Sequence, residues 1–276
     1  MQVLPQEEYQ EIGQLLKEVP FNCYFARSVL EKHVTGTIFV DDTRDPRNAY
    51  ILHPYGMSLL IGDAKNSEFE SWLFSHLLDE DKQRCRNEWM QVYPDVWNEK
   101  IVTKLSSRII DSEHASNDCT DFIELHQRVN FRFNNEKFRT FKGFVRHPEV
   151  QISRLDHRSA DRVHGMVVPS AFWNNMEEFY RNGIGFSVVM DNEPVSTAFS
   201  AFAHDNIKEI GIETVEKFRG RGFARMACTA YIDHCIRESY TPVWSCRFEN
   251  SNSYNLAIKL GFEPTFRLPL YRLCRH

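Results

Sequence analysis

A strand that leads into a glycine-rich loop and then a helix constrains this chain more than any other stretch. The run Glu209–Ala224 reads Glu-Ile-Gly-Ile-Glu-Thr-Val-Glu-Lys-Phe-Arg-Gly-Arg-Gly-Phe-Ala. Closely spaced glycines let the backbone turn tightly, and a helix N-terminus presents N–H groups and partial positive charge. Arg219 and Arg221 add two full charges at the same place. The run therefore predicts a cradle for an anionic, phosphorylated ligand.

Composition and charge narrow the class of protein. The net charge is −5, which argues against a nucleic-acid-binding protein. The seven cysteines include no Cys-x-x-Cys pair, a pattern typical of a reduced chain rather than a disulfide scaffold. Cys228, His234 and Cys235 share one predicted helix, which cannot supply a four-ligand zinc shell, so we expect no metal. Without a signal-peptide pattern or a long apolar run, we expect a cytoplasmic protein with no membrane partner.

The C-terminal half alternates predicted strands and helices. Apolar spacing predicts a helix over residues 221–238 with Phe223, Ala227, Tyr231 and Cys235 on one stripe. The strands predicted in this half are Phe186–Met190, Val195–Ala203, Glu209–Val215, Pro242–Arg247 and Thr265–Leu273. This order predicts a mixed sheet with helices packed on it, an α/β (α+β) fold.

The N-terminal half predicts a smaller α/β lobe. Three strand-like runs precede apolar patterns that we interpret as helices over residues 67–78 and 80–91. Residues 138–150 lack long periodic structure, so we place the domain boundary there and expect domains at 1–140 and 141–276. Both halves share a similar order of first elements, which is compatible with a diverged internal duplication.

Two motifs in the second half resemble the GNAT N-acetyltransferases. Arg219-Gly-Arg-Gly-Phe-Ala224 is similar to the family's R/Q-x-x-G-x-G/A signature, and Asn250-x-x-Ser253-x-x-Leu256-x-x-Lys259-x-Gly261-Phe262 is similar to its last helix. The resemblance covers about residues 150–275 and implies a mostly antiparallel GNAT sheet there. The first half looks like a degenerate GNAT lobe, as in the tandem glycine N-acyltransferase-like proteins. The run Glu-Ile-Gly-Ile-Glu-Thr at residues 209–214 resembles the branch of the family that includes zwittermicin-resistance acetyltransferases.

The resemblance implies acetyl-CoA as co-substrate and assigns residues to it. The signature loop would hold the coenzyme A pyrophosphate, and the strand before it would pair with the pantetheine arm beside a splayed neighbouring strand. Pro242 fits that splay, because proline removes a ladder donor. The expected cofactor-binding residues are Thr214, Val215, Arg219, Gly220, Arg221, Gly222, Phe223, Ala224, Asn250 and Ser253.

Acetyl transfer needs a base for the amine proton and a donor for the developing oxyanion. Glu209 lies where several GNATs carry a glutamate base, and Glu213 follows on the same strand face, so we favour Glu209 first and Glu213 second. Each could also be an ordinary solvated carboxylate. The N–H of Val215 is the expected oxyanion donor.

One position departs from the family. Many GNATs carry a tyrosine acid in the last helix, where this chain has Ala257. Tyr254, Tyr231, Cys246 or a water could serve instead, or no acid is needed. The resemblance thus implies an N-acetyltransferase acting on a small-molecule or protein amine by direct attack in a ternary complex. The alternative is a non-catalytic acyl-CoA-binding module, and in either case the first lobe could recognise the acceptor.

Overall fold

The computed structural model describes residues 1–114, 122–141, 147–160 and 162–275. These ranges contain thirteen strands: β1 (Gln2–Val3), β2 (Thr37–Val40), β3 (Asn48–Leu52), β4 (Met57–Gly62), β5 (Glu88–Tyr93), β6 (Ile109–Asp111), β7 (Ile123–Phe133), β8 (Gln151–Arg154), β9 (Gly185–Met190), β10 (Glu193–His204), β11 (Ile207–Thr214), β12 (Thr241–Arg247) and β13 (Phe262–Leu273).

Nine α-helices lie in the same ranges: α1 (Gly13–Lys17), α2 (Tyr24–Leu30), α3 (Ser67–Leu78), α4 (Asp95–Leu105), α5 (Asn135–Phe141), α6 (His157–Ala160), α7 (Met176–Asn182), α8 (Phe223–Arg237) and α9 (Ser251–Lys259). Short 3-10 helices occupy Gln6–Ile12, Ser106–Arg108, Ser112–His114, Pro169–Ala171 and Glu216–Phe218. Strands and helices alternate along the chain, so the expected mixed α/β architecture is confirmed.

The chain forms two compact units. Unit 1 comprises Met1–Val129, Arg247–Glu249 and Phe266–His276, and unit 2 comprises Asn130–Cys246 and Asn250–Thr265. Strands β7, β12 and β13 therefore each begin in one unit and end in the other. A domain boundary between residues 140 and 141 stays a prediction, and residues 142–146 beside it lie outside the described ranges.

Unit 1 is built on a sheet in the order β1-β2-β3-β4-β5, followed by its parts of β13 and β7, with β6 beside β7. Strands β4 and β5 run parallel, as do β6 and β7. Helices α3 and α4 bury Phe69, Leu73 and Trp97 in a core shared with β4 and β5. Burying each such side chain stabilises the fold by about 1.5–3 kcal/mol.

The helix interpretation of residues 80–91 is wrong. Asp79 ends α3 in the left-handed conformation, with φ 49°. Glu88 then begins β5, and Asp95, just after Pro94, begins α4, which the apolar spacing did not predict. Strand β5 is buried on both sides, because Met90, Gln91 and Val92 are all buried. A strand without regular alternation cannot be told from a helix by periodicity alone.

Unit 2 carries a sheet in the order β12-β11-β10-β9-β8. Its pairs β8–β9, β9–β10 and β10–β11 are antiparallel, whereas β11 and β12 are parallel. Helix α8 packs on this sheet through the predicted stripe Phe223, Ala227, Tyr231 and Cys235, all of which are buried. The stripe is thereby confirmed, and α8 is anchored so that its N-terminus stands at the end of β11.

Within the described part of the chain, none of the helices combines the length and apolar character that a membrane span requires.

Candidate active site

The glycine-rich loop has the backbone geometry that the sequence predicts. After the turn Glu216–Phe218 and the extended residue Arg219, Gly220 and Gly222 have φ of 79° and 84°. Residues with a Cβ rarely adopt these values. A Cβ placed on either glycine would meet no atom of the described residues within 4 Å. The glycines are therefore required by backbone conformation, and the space beside them is open on the protein side.

The start of α8 fits an anion. Gly222 is the N-cap residue and has no side chain with which to cap the helix. The first N–H groups of an α-helix have no intrahelical acceptor, so those of α8 can serve a ligand. Arg219, with a side chain that is 62% exposed, donates from Nε to the carbonyl oxygen of Thr214 at 3.2 Å. The Lys217 ammonium nitrogen lies 5.0 Å from the centre of the Phe218 ring, and the guanidinium carbon of Arg221 lies 5.3 Å from it. These residues suit a diphosphate.

Strands β11 and β12 pair over a short length only. In the described register, Ile207–Glu209 pair with Thr241–Val243, and the ladder ends there. The edge of β11 from Ile210 to Thr214 is thus left unpaired on the β12 side. The expected splay is present, but the expected reason for it is wrong, since Pro242 lies inside the paired stretch, opposite Lys208.

The expected oxyanion donor, the backbone N–H of Val215, does not lie on the open edge of β11. The N–H of Val215 donates to the carbonyl oxygen of Val195 at 3.0 Å, so it belongs to the β10–β11 ladder and is not a free oxyanion donor. In antiparallel pairs, the residues that point their N–H to the partner alternate with those that point it away. Ile212 and Thr214 therefore direct their N–H groups toward the unpaired side. That of Thr214 lies 3.2 Å from the carboxylate of Glu213, which leaves Ile212 as the better donor.

Glu209 is a buried carboxylate at the point where the ladder ends. The residue is 4% exposed, and Ser245 on β12 donates its hydroxyl hydrogen to Oε1. A buried carboxylate is costly unless hydrogen bonds satisfy it, and the serine supplies one. Sequence reasoning missed Ser245. In β12 the buried residues Trp244 and Cys246 alternate with it, so strand alternation was the available signal.

Glu213 is held in a different environment. Its Oε2 accepts the backbone N–H groups of Met166 and Val167 at 3.1 and 3.0 Å, and its Oε1 lies 3.6 Å from the Arg219 guanidinium. A Cβ on Gly165 would come within 2.5 Å of the Glu213 side chain, so that glycine permits the close approach. Glu213 thus fastens the segment 165–167 to the strand that precedes the loop. Glu209 and Glu213 are about 13 Å apart along the strand, so they cannot act on one proton together.

Asn250 and Ser253 have structural contacts of their own. The side-chain oxygen of Asn250 accepts the N–H of Ser253 at 3.1 Å and so caps α9, and Ser253 Oγ accepts from Trp244 Nε1 at 3.2 Å. A cap of this kind is worth about 1 kcal/mol. These contacts account for both residues within unit 2, and their contact with a cofactor stays a prediction.

The two tyrosines that could replace the missing tyrosine acid, Tyr231 and Tyr254, lie in different environments. Ala257 itself is fully buried. Tyr231 is also fully buried, with its hydroxyl 2.7 Å from Ser200 Oγ, and burial together with the neighbouring Cys235 raises its pKa well above the ordinary value. Tyr231 is therefore a core residue and not an acid. Tyr254 packs its ring against Phe131 at 5.3 Å between centroids.

No group of three or more His, Cys, Asp or Glu side chains within the described ranges is arranged so as to hold a metal ion.

Comparisons with known proteins agree with this geometry. The family model described as GNAT acetyltransferase matches residues 14–271. An uncharacterized N-acetyltransferase, YdfB, of Bacillus subtilis (strain 168) is 25% identical over 253 residues, which are 90% of this chain and 89% of the relative. The match thus extends over both units.

Two solved structures share the fold over nearly the whole chain. A GCN5-related N-acetyltransferase-like protein from Streptococcus suis 89/1591 superposes with a TM-score of 0.70 at 18% identity, over 96% of this chain and 98% of its own. A tandem GNAT protein from the clavulanic acid biosynthesis pathway superposes with a TM-score of 0.62 at 9% identity, over 100% of this chain and 98% of its own. The GNAT fold and a tandem relative are thus found, while the zwittermicin-resistance placement stays a prediction.

Proposed function

The chain belongs to the GNAT acetyltransferase family, and we propose that it transfers an acetyl group from acetyl-CoA to an amine by direct attack in a ternary complex. The acceptor is the amine of a small molecule or of a protein. The observation that carries the proposal is the left-handed Gly222 at the open N-terminus of α8, beside a strand whose outer edge is unpaired.

Residues of the loop would hold the coenzyme. Members of the family typically use acetyl-CoA, which supplies an activated thioester. The N–H groups of residues 220–224 and the side chains of Arg219 and Arg221 suit its diphosphate. The N–H of Arg219 itself donates to the carbonyl oxygen of Glu216. The unpaired edge of β11 offers backbone groups at Ile212 to which an extended amide chain can add as a strand. Thr214 lies on the same edge, and a cofactor there would compete with the contacts of its N–H to Glu213 and of its carbonyl oxygen to Arg219. The N–H of Ile212 on the same edge is the donor that we assign to the thioester oxygen.

Glu209 is the residue that we propose as base. Its carboxylate is buried, oriented by Ser245 and placed where the open edge begins. A carboxylate can accept the proton of the attacking amine directly or through a water. Glu213 remains the second candidate, but its bonds to the backbone of Met166 and Val167 favour a positioning role.

The chain does not require an acid on the last helix. A thiol of pKa about 8.5 is a tolerable leaving group as the thiolate. The buried Ala257 therefore does not prevent turnover, and Tyr254 or a water can supply a proton.

The test is a turnover assay. Purified protein is mixed with acetyl-CoA and a panel of amines, and free thiol is measured over time. Thiol release that requires one of the amines supports the proposed acetyltransferase activity. Binding of coenzyme A without release for any amine in the panel favours the non-catalytic acyl-CoA-binding module instead.

A further inference from the structure

Unit 1 contains a cluster of polar side chains around the indole of Trp89 on β5. The guanidinium carbon of Arg247 lies 4.6 Å from the centre of the Trp89 ring, and that of Arg272 lies 5.6 Å from it. The imidazole of His126 meets the same indole edge to face at 5.2 Å. We call this group, with Gln91 and Glu124, the Trp89 cluster. The glycine-rich loop and Glu209 belong to unit 2 and take no part in it.

The charges of the cluster are unequally paired. Glu124 accepts from Nη1 of Arg272 with both carboxylate oxygens at 2.9 Å, and its Oε2 lies 2.9 Å from His126 Nε2. Burial alone would raise the pKa of Glu124, but the bonds from His126 and Arg272 outweigh it, so the pKa is lowered. Arg272 is therefore neutralised. Arg247, by contrast, has no carboxylate within 4.0 Å among the residues that the structure describes.

Gln91 adds a second unsatisfied group on the same face. It stands two residues after Trp89 in β5, so its side chain projects from the same face of the sheet. The residue is 0% exposed, and neither amide atom has a hydrogen-bond partner in the described part of the chain. The Nε of Arg272 is buried without a partner in the same way. Buried polar groups nearly always have partners, and an unmade bond costs about 1–3 kcal/mol.

We propose that the Trp89 cluster binds a small molecule with a single carboxylate group, held by the guanidinium of Arg247 and the amide of Gln91. The Arg247 guanidinium lies over the Trp89 ring, and a guanidinium is a planar group that suits two-point binding of a carboxylate. One uncompensated guanidinium matches one negative charge. The carboxylates of Glu124 and Glu249 in the same unit disfavour a dianion such as a phosphate monoester. The site does not depend on the function proposed for unit 2.

The experiment uses the full chain labelled with ¹⁵N at tryptophan, in which Trp89→Phe identifies the Trp89 indole resonance. Benzoate, succinamate and phenylalanine are each titrated beside the corresponding carboxamides, benzamide, succinamide and phenylalaninamide, which lack the carboxylate. We expect at least one acid to shift the Trp89 resonance saturably while its amide does not. Arg247→Gln should weaken that binding at least about tenfold. Arg47→Gln, the control, removes one positive charge from an exposed loop of unit 1 and should leave binding of the acid unchanged.

A second variant keeps the proposal testable if Arg247→Gln fails to fold. Gln91→Leu removes the buried amide that lacks hydrogen-bond partners, at nearly constant side-chain volume. It should therefore raise Tm and weaken binding of the acid at least about threefold. The proposal is overturned if no acid moves the Trp89 resonance more than its amide. It is equally overturned if Arg47→Gln weakens binding as much as Arg247→Gln, or if Gln91→Leu binds the acid with unchanged affinity.

Discussion

Ser245 on β12 donates its hydroxyl hydrogen to the carboxylate of Glu209 on β11, two residues beyond Val243, the last β12 residue in the β11–β12 ladder. The side-chain bond thus links the strands at the point where their backbones part. A buried carboxylate at this position is oriented before any substrate arrives. The pair is the basis of the first two predictions.

Replacing Glu209 with Gln should remove the base and keep the shape of the site. We expect kcat to fall by about 10²–10⁴-fold, because general base catalysis contributes that much. The Kd for coenzyme A should change little, since the loop is untouched. Glu193→Gln, at an exposed position on β10, is the matched control. An unchanged kcat in Glu209→Gln would show that another group takes the proton.

Replacing Ser245 with Ala should lower kcat less, by about tenfold, because the carboxylate remains but loses one charge-assisted hydrogen bond. Ser245→Thr keeps a hydroxyl and should restore most of the rate. Steady-state kinetics of the three proteins at one pH measures the effect. If the Thr and Ala variants are equally impaired, the hydroxyl is not what matters at this position.

Two variants of Glu213 distinguish a positioning role of this residue from a catalytic role. Glu213→Ala loses acceptors for the N–H groups of Met166 and Val167, so limited proteolysis beside the exposed Met166 should accelerate. Stability should fall by about 1–3 kcal/mol. Glu213→Gln keeps one carbonyl acceptor and should resist the protease nearly as well as wild type. A Gln variant that resists proteolysis but has lost turnover would instead make Glu213 the base.

The buried Glu88 of unit 1 should make stability depend on pH. Burial raises the pKa of Glu88 from 4.5 to about 8, so its folded-state carboxyl holds a proton that the unfolded chain releases at lower pH. Stability is therefore lost as pH rises toward 8. The neighbouring His76 acts oppositely and mainly at lower pH, since burial lowers its pKa from 6.5 to about 4. Arg84 and Tyr50 also face the carboxyl.

Between pH 6.5 and 8, the difference between wild type and Glu88→Gln isolates Glu88, because the other titrating groups are present in both proteins. Urea unfolding at both ends should show that wild type loses about 2 kcal/mol relative to Glu88→Gln, at about 1.4 kcal/mol per pH unit. Equal losses in the two proteins would mean that Glu88 is already ionised in the fold.

The sequence was most informative where local chemistry determines structure. The glycines at 220 and 222 could be identified because their conformation is a property of the loop itself, and α8 because its apolar stripe has helical period. The candidate base Glu209 followed from its spacing to the loop through the family resemblance. Strand alternation in β12 indicates the face on which Ser245 lies, but its contact with Glu209 depends on strand pairing between distant segments and so could not be predicted.

Features set by pairing and by burial on both faces were missed. Strand β5 is buried on both sides, so its sequence lacks the alternation that identifies a strand. The N–H direction of Val215 depends on the register with β10, which no local pattern reveals. The assignment of Arg247–Glu249 and Phe266–His276 to unit 1 likewise depends on long-range pairing.

Calorimetric titration of coenzyme A into wild type and Gly222→Ala tests the central claim, that the loop binds a diphosphate through its backbone. The variant strains a residue at φ 84° in an otherwise open space. Gly13→Ala, equally open but within α1, is the control. We predict clear binding to wild type and to Gly13→Ala, and a Kd at least about tenfold weaker for Gly222→Ala, the equivalent of 1.4 kcal/mol. No heat with wild type, or the same Kd in all three proteins, would contradict the account.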